Sequence, residues 1–284
     1  MTSDNTTQIV KDTLHNSESS SGGWIIEHIT DSNVLDFEPF GVIHLPSFDI
    51  NLFGVTFHLA ITKHVVFLWL AALIVATLMI YTARSYRKSL VPKGIANLIE
   101  MIIEFIKDEI VTPTIGEKYI KTFLPFLGTI FFFILTCNLL GLVPYGSTAT
   151  SNISVTGSLA LLSFIMIQFA GMKKNGVIGY FKGLIPHGVP VFLLPIMFVV
   201  EVLGLFTKPF ALMIRLFANM TAGHVVILAL IGLIFILKTP FISPVSILFA
   251  LFIYLLELLV ALIQAYIFTM LSSLFIGMAI HQEH

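Results

Sequence analysis

An all-α polytopic membrane protein is the fold class this sequence predicts, and three observations predict it. Apolar residues make up 57% of the 284 positions and charged residues only 11%, against about 45–50% and about 25% in soluble domains. The mean hydropathy is +0.97. The apolar residues also gather into runs close to the ~20 positions needed to cross hydrocarbon. This composition excludes a soluble enzyme and a disordered protein. With 15 basic and 16 acidic residues the net charge is −1, so no basic field attracts nucleic acid. The lone cysteine, Cys137, excludes a disulfide framework and a cysteine zinc site.

The first 50 residues hold eight of the 16 acids and one base, Lys11. Residues 1–24 read as a flexible polar tail, with a Ser/Gly-rich stretch at 17–23. It lacks the basic-then-apolar layout of a secretory signal peptide. Residues 25–60, with scattered aromatics and with Pro39 and Pro46, read as an extramembrane or interfacial segment. The transmembrane domain is expected over 61–284.

Residues 65–81 are apolar apart from Thr77 and form the first span. Arg84, Arg87, Lys88 and Lys93 follow it. A second span covers 123–141, ended by Gly141 and Pro144. A third covers 155–172 and is followed by Lys173 and Lys174. Residues 189–237 are almost unbroken apolar sequence, and 245–280 form the last stretch. Ser243-Pro244 before it resembles an N-cap followed by proline at the first helical position.

Residues 93–111 have a different pattern. Ile95, Ile99, Ile102, Ile106 and Ile110 recur at three- and four-residue steps, with Glu100, Glu104, Lys107 and Asp108 mostly on the other side. This is an amphipathic helix, lying in the membrane interface or solvated and packed on a partner domain.

Lys and Arg crowd the loops after the first and third spans, including Lys182, while 145–154 has none. Positive residues mark cytoplasmic loops, so the N-terminus is expected outside and the C-terminus in the cytoplasm, with five crossings. The 49 residues of 189–237 complicate the count. As one helix they extend ~74 Å. They form either a hairpin broken at Lys208-Pro209 or one oblique helix, and no Asn-Gly or Gly-Gly turn signal decides it.

Between residues 189 and 280 only Glu201, Lys208, Arg215, Lys238 and Glu257 are charged. Lys238 stands at an edge and can snorkel. Arg215 has apolar sequence on both sides, and a central arginine costs about 2.5–3.5 kcal/mol on insertion scales. It either serves a function or pairs structurally with a carboxylate. If the last two helices are antiparallel, two polar layers form. His224 lies ~13.5 Å beyond Arg215, and Glu257 lies ~10.5 Å from Gln264 in the same direction. Levelling Arg215 with Gln264 therefore nearly levels His224 with Glu257. Glu201 lies ~21 Å from Arg215 on the opposite side. At ~100° per residue Glu201, Lys208 and Arg215 share a stripe, whereas His224 falls about 180° from Arg215.

A histidine beside a buried carboxylate can accept and release protons, although a hydrogen-bonded core histidine fits the same residue. Arginine stays protonated and cannot relay. It repels a passing proton and stabilises a carboxylate that has lost one. The arrangement reads as two half-routes separated by a positive barrier, crossed only with a mobile carrier on a partner.

The run Lys208-Pro209-Phe210-Ala211-Leu212-Met213-Ile214-Arg215-Leu216-Phe217-Ala218-Asn219-Met220, continued by Ala222-Gly223-His224, closely resembles the signature of subunit a of F-type ATP synthase. Asn138-Leu139-Leu140-Gly141-Leu142-Val143-Pro144 resembles the ending of that family's third helix. Leu262-Ile263-Gln264-Ala265-Tyr266-Ile267-Phe268 resembles its last helix. The resemblance spans roughly 25–284.

It implies roles by position. Arg215 matches the essential arginine facing the c-ring carboxylates. Asn219 and Gln264 match polar positions near it, and Glu201 a carboxylate on the exit route. His224 and Glu257 occupy positions that often carry glutamate and histidine in the other order; the exchanged order is also typical of mitochondrial forms. The resemblance implies that the last two helices are long and strongly tilted, favouring a single oblique helix over 189–237. It implies a non-catalytic subunit coupling proton flow to ring rotation and ATP synthesis, without cofactor or metal. Implied partners are the c-ring proteolipid on the Arg215 face, subunit b of the peripheral stalk and the lipid bilayer, with no nucleic acid. The implied location is a bacterial inner (cell) membrane, with an energy-transducing organelle membrane as the alternative. No Gly-x-x-x-x-Gly-Lys-Ser/Thr run is present. A secondary transporter would show paired repeats, and the Arg215 motif has no second copy. A scaffold would not need Arg215.

Overall fold

The computed structural model describes residues 34–36, 42–52, 55–88, 93–143, 146, 148–183, 191–237 and 242–281. The tail at 1–24, Lys238 and most of the expected 239–243 turn lie outside the described residues.

The segment ahead of the first span contains two short antiparallel hairpins. Strand β1 (Val34–Asp36) pairs with β2 (Val42–His44), bringing Leu35 opposite Ile43. Strand β3 (Ser47–Leu52) pairs with β4 (Val55–Ala60), from Ser47 opposite Ala60 to Leu52 opposite Val55. Val42, Ile43, Val55 and Phe57 are β-branched or aromatic residues suited to strands.

Beyond them, the elements among the described residues are all helices. Helix α1 (Lys63–Lys88) carries the first span and runs through Arg84 and Arg87. Helix α2 (Ile95–Phe105) passes into a π turn at Ile106–Val111 and a short helix α3 (Thr112–Ile115). Next come α4 (Ile120–Leu142), α5 (Ile153–Asn175) and the short α6 (Val177–Lys182). The chain ends in α7 (Leu194–Leu237) and α8 (Ile242–Ile280). Five helical stretches among the described residues are long and apolar enough to cross a membrane. The protein is thus a multi-pass, all-helical membrane protein preceded by two small hairpins.

Residues 194–237 form one helix of 44 residues through Pro209, so the hairpin alternative fails. At ~66 Å, α7 is about twice as long as a ~30 Å hydrocarbon layer is thick. It fits within that layer only at a steep angle. Helix α8 begins at Ile242, placing Ser243 and Pro244 inside its first turn. Proline is tolerated there because the first turn leaves its N–H groups unbonded.

The core gathers around α4, whose Phe123, Leu127, Ile130, Phe131, Phe132 and Ile134 are buried. Helix α8 packs on α7, α4, α5 and α3. Its inward stripe of Ala261, Ala265, Thr269, Ser272 and Ser273 is small, and all five are buried. Small residues let helix backbones approach without a hydrophobic drive between helices. Hydroxyls then bridge them: Ser272 donates to Ser163 at 3.2 Å, and Ser273 meets Thr114 at 2.6 Å.

On α2 and the π turn, Ile99, Ile106 and Ile110 are buried, but Ile95 is 58% exposed. The bundle thus covers the expected stripe from Ile99 onward and leaves Ile95 outside it. Ala96 takes the inward place, while Leu98, Met101 and Phe105 make a second, exposed apolar stripe.

Candidate functional site

Helices α7 and α8 supply the polar residues singled out in the sequence, and their antiparallel packing decides which of them meet. His224 on α7 and Glu257 on α8 come together: Nδ1 lies 3.3 Å from Oε1. Glu257 is 3% exposed, and the His224 side chain is 21% exposed. Neither carboxylate oxygen has a hydrogen-bond partner among the described residues. A buried carboxylate whose nearest polar neighbour is an imidazole forms a pair in which one proton can pass between two sites.

Two residues complete this pair that sequence reasoning did not assign. Gly223 faces the Glu257 carboxyl so closely that a Cβ there would overlap it. Its place directly before His224 was the one available signal. The second is Thr148, whose Oγ1 contacts Nε2 of His224. It lies 76 positions away in sequence, where spacing carries no information. Thr148 precedes the 3-10 turn Ala149–Ser151 between α4 and α5. That turn is fastened to α4 by the Thr150 hydroxyl, which donates to Oδ1 of Asn138 at 2.7 Å. Asn138 in turn donates from Nδ2 to the Ala261 carbonyl at 3.3 Å, tying the turn to α8.

Arg215 faces elsewhere. Leu212, Leu216 and Met220 point into the bundle, with exposures of 2%, 1% and 0%. Arg215 and Asn219 are exposed, on a stripe that also presents Ala211, Ala218 and Ala222. The cation thus lies on an outer ridge of small and apolar residues. Gln264 is 4% exposed, inside α8's packed stripe. No hydrogen bond joins it to Arg215 among the described residues.

Glu201 and Lys208 line a common cleft of about 230 Å³ with Gln168, Tyr180 and Phe275. They stand seven residues apart on α7, about two turns, which explains their shared face. Lys208 Nζ lies 5.3 Å from the centre of the Phe275 ring, a distance at which ring and cation attract. Burial pushes the Tyr180 phenol above its ordinary range. The Gln168 amide lies against the Tyr180 phenol, a contact that favours the ionised phenol. Arg215 is not among the residues lining this cleft.

The molecule therefore carries a buried imidazole–carboxylate pair, an outward arginine about nine residues back along α7, and a polar cleft a further two turns back. No cluster of three His, Cys, Asp or Glu side chains suited to a metal occurs among the described residues.

Comparison with known proteins places this arrangement in context. Residues 65–277 match the family described as ATP synthase A chain. A protein of Chloroherpeton thalassium named ATP synthase subunit a is 51% identical over 263 residues, covering 91% of this chain and 77% of its own length. One from Chlorobaculum tepidum, named ATP synthase subunit a 2, is 51% identical over 266 residues, covering 92% of this chain and 74% of its own length. A third, from Anaeromyxobacter and named ATP synthase subunit a, is 54% identical over 227 residues, covering 78% of this chain and 55% of its own length.

Proposed function

The chain belongs to the ATP synthase A chain family, and from that premise we propose that it is the stator subunit forming two offset proton half-channels beside a ring of c-type proteolipids. The observation that carries this reading is the division of polar groups on α7. Arg215 is exposed on the outer face, whereas His224 meets Glu257 and Glu201 lines a cleft that Arg215 does not.

In this mechanism a proton from outside reaches the His224–Glu257 pair and passes by Asn219 to a carboxylate on the ring. Arg215 remains charged throughout and holds the opposing ring carboxylate ionised while it crosses between the half-channels. Gln264 sits near that crossing. The proton leaves past Glu201 to the cytoplasm. The N-terminus lies outside and the C-terminus in the cytoplasm of a bacterial inner membrane, and subunit b of the peripheral stalk holds the subunit against rotation. ATP is made in a separate catalytic head.

ATP-driven proton pumping in inverted vesicles tests the reading. Arg215→Ala should abolish coupled pumping and permit passive leak. Wild-type coupling in that variant would overturn it.

A further inference from the structure

Thr148 reaches His224 from the turn between α4 and α5, and its position is unusually constrained. It is 3% exposed. The Ser151 hydroxyl donates to the Thr148 carbonyl at 2.8 Å, and Nε2 of His64 lies 3.4 Å from the same Ser151 hydroxyl. Thr150 is bonded to Asn138. Gly141 backs the residue so closely that any side chain there would strike Thr148. The hydroxyl is held while the ring beside it changes charge.

A threonine hydroxyl can both donate and accept. Nδ1 lies 3.3 Å from the Glu257 carboxylate; in the tautomer that carries the neutral ring's hydrogen on Nδ1, toward that carboxylate, Nε2 accepts from Thr148. When the ring gains a proton, Nε2–H donates to the same oxygen. One contact thus serves both states without moving the ring. Glu257 of α8 is the charged group facing it. Asn138 of α4 and the turn's threonines are uncharged, His64 of α1 stands beyond Ser151, and Arg215 is nine positions away on α7.

We infer that Thr148 is a positioning residue for proton transfer at His224, its hydroxyl holding the imidazole with Nδ1 toward Glu257 in both protonation states. This rests on the reading of His224 and Glu257 as the entry pair.

The test is ATP-driven proton pumping by the assembled complex in inverted vesicles, followed across pH. Thr148→Val keeps the β-branched volume and loses the hydroxyl. It should lower pumping about tenfold at neutral pH and move the midpoint of the pH profile by about one unit, a tenfold change in proton affinity. Thr148→Ser restores the hydroxyl and should recover most of the rate with the original midpoint. An unmoved midpoint in Thr148→Val, or equal loss in Thr148→Ser, overturns the inference. Should valine block assembly, Thr148→Ala removes the same hydroxyl without added bulk, and an unmoved midpoint there overturns it equally. Intact pumping in His224→Ala would instead refute the entry-pair reading itself, which separates the two failures.

Discussion

At the scale of single residues, the proposed chemistry depends on a few polar groups whose surroundings differ sharply. Glu257 is enclosed, His224 is partly open, and Arg215 is exposed. The 3.3 Å approach of His224 to Glu257 makes their contributions interdependent. His224→Glu combined with Glu257→His should retain more pumping than either single change. Strictly additive losses in that cycle would show that the two do not couple. Arg215 and Glu257 were legible because a charge inside an apolar run is conspicuous. The depth arithmetic on two helices also brought His224 level with Glu257. Thr148 was not legible. Its value comes from a turn that places it against a residue 76 positions away, and neither residue type nor period records that meeting.

At the scale of elements, length and hydropathy were enough to find five spanning helices, because the bilayer imposes both. Periodicity marked an apolar stripe in this segment, and the bundle covers it from Ile99 onward but not at Ile95. The helix carries two apolar stripes, and sequence does not say which one the bundle takes. The π turn at Ile106–Val111 had no signal, since one extra residue per turn leaves composition unchanged. The β hairpins before α1 were missed for another reason: their strands are short, three to six residues each. Helix α8 owes its close packing to small residues, which sets a clear expectation. Ala265 is 0% exposed, and the Thr269 hydroxyl donates to its carbonyl at 2.8 Å. Ala265→Leu should destabilise the bundle by about 1–3 kcal/mol, seen as a lower denaturation midpoint in detergent. An unchanged midpoint would contradict the tight seam.

At the scale of the whole molecule, burial is lopsided. Helix α4 is the most buried of the five spanning stretches, whereas α7 presents a long exposed ridge containing Arg215. An arginine facing lipid is costly, and the proposed function sets a partner's carboxylate against this ridge. In a cysteine-labelled complex, Ala222→Cys on the ridge should crosslink to a co-purifying two-helix proteolipid. Leu216→Cys, at 1% exposure, should not. Absence of any crosslink from the ridge would remove the proteolipid from this face. The membrane class and the central motif were legible at this scale. The one-sidedness was not, because it depends on which stripe of α7 the neighbouring helices cover.

The contact between His224 and Glu257 also works as a gauge of helix register. The two residues belong to different helices, and sliding one helix by a single turn would displace one from the other by ~5.4 Å along the axis, breaking the 3.3 Å contact. Under the proposed function, a route assembled in this way exists only when α7 and α8 are fully seated. Correct docking and an open inlet would then be one event, and a half-packed intermediate in the membrane would be sealed by its own misalignment.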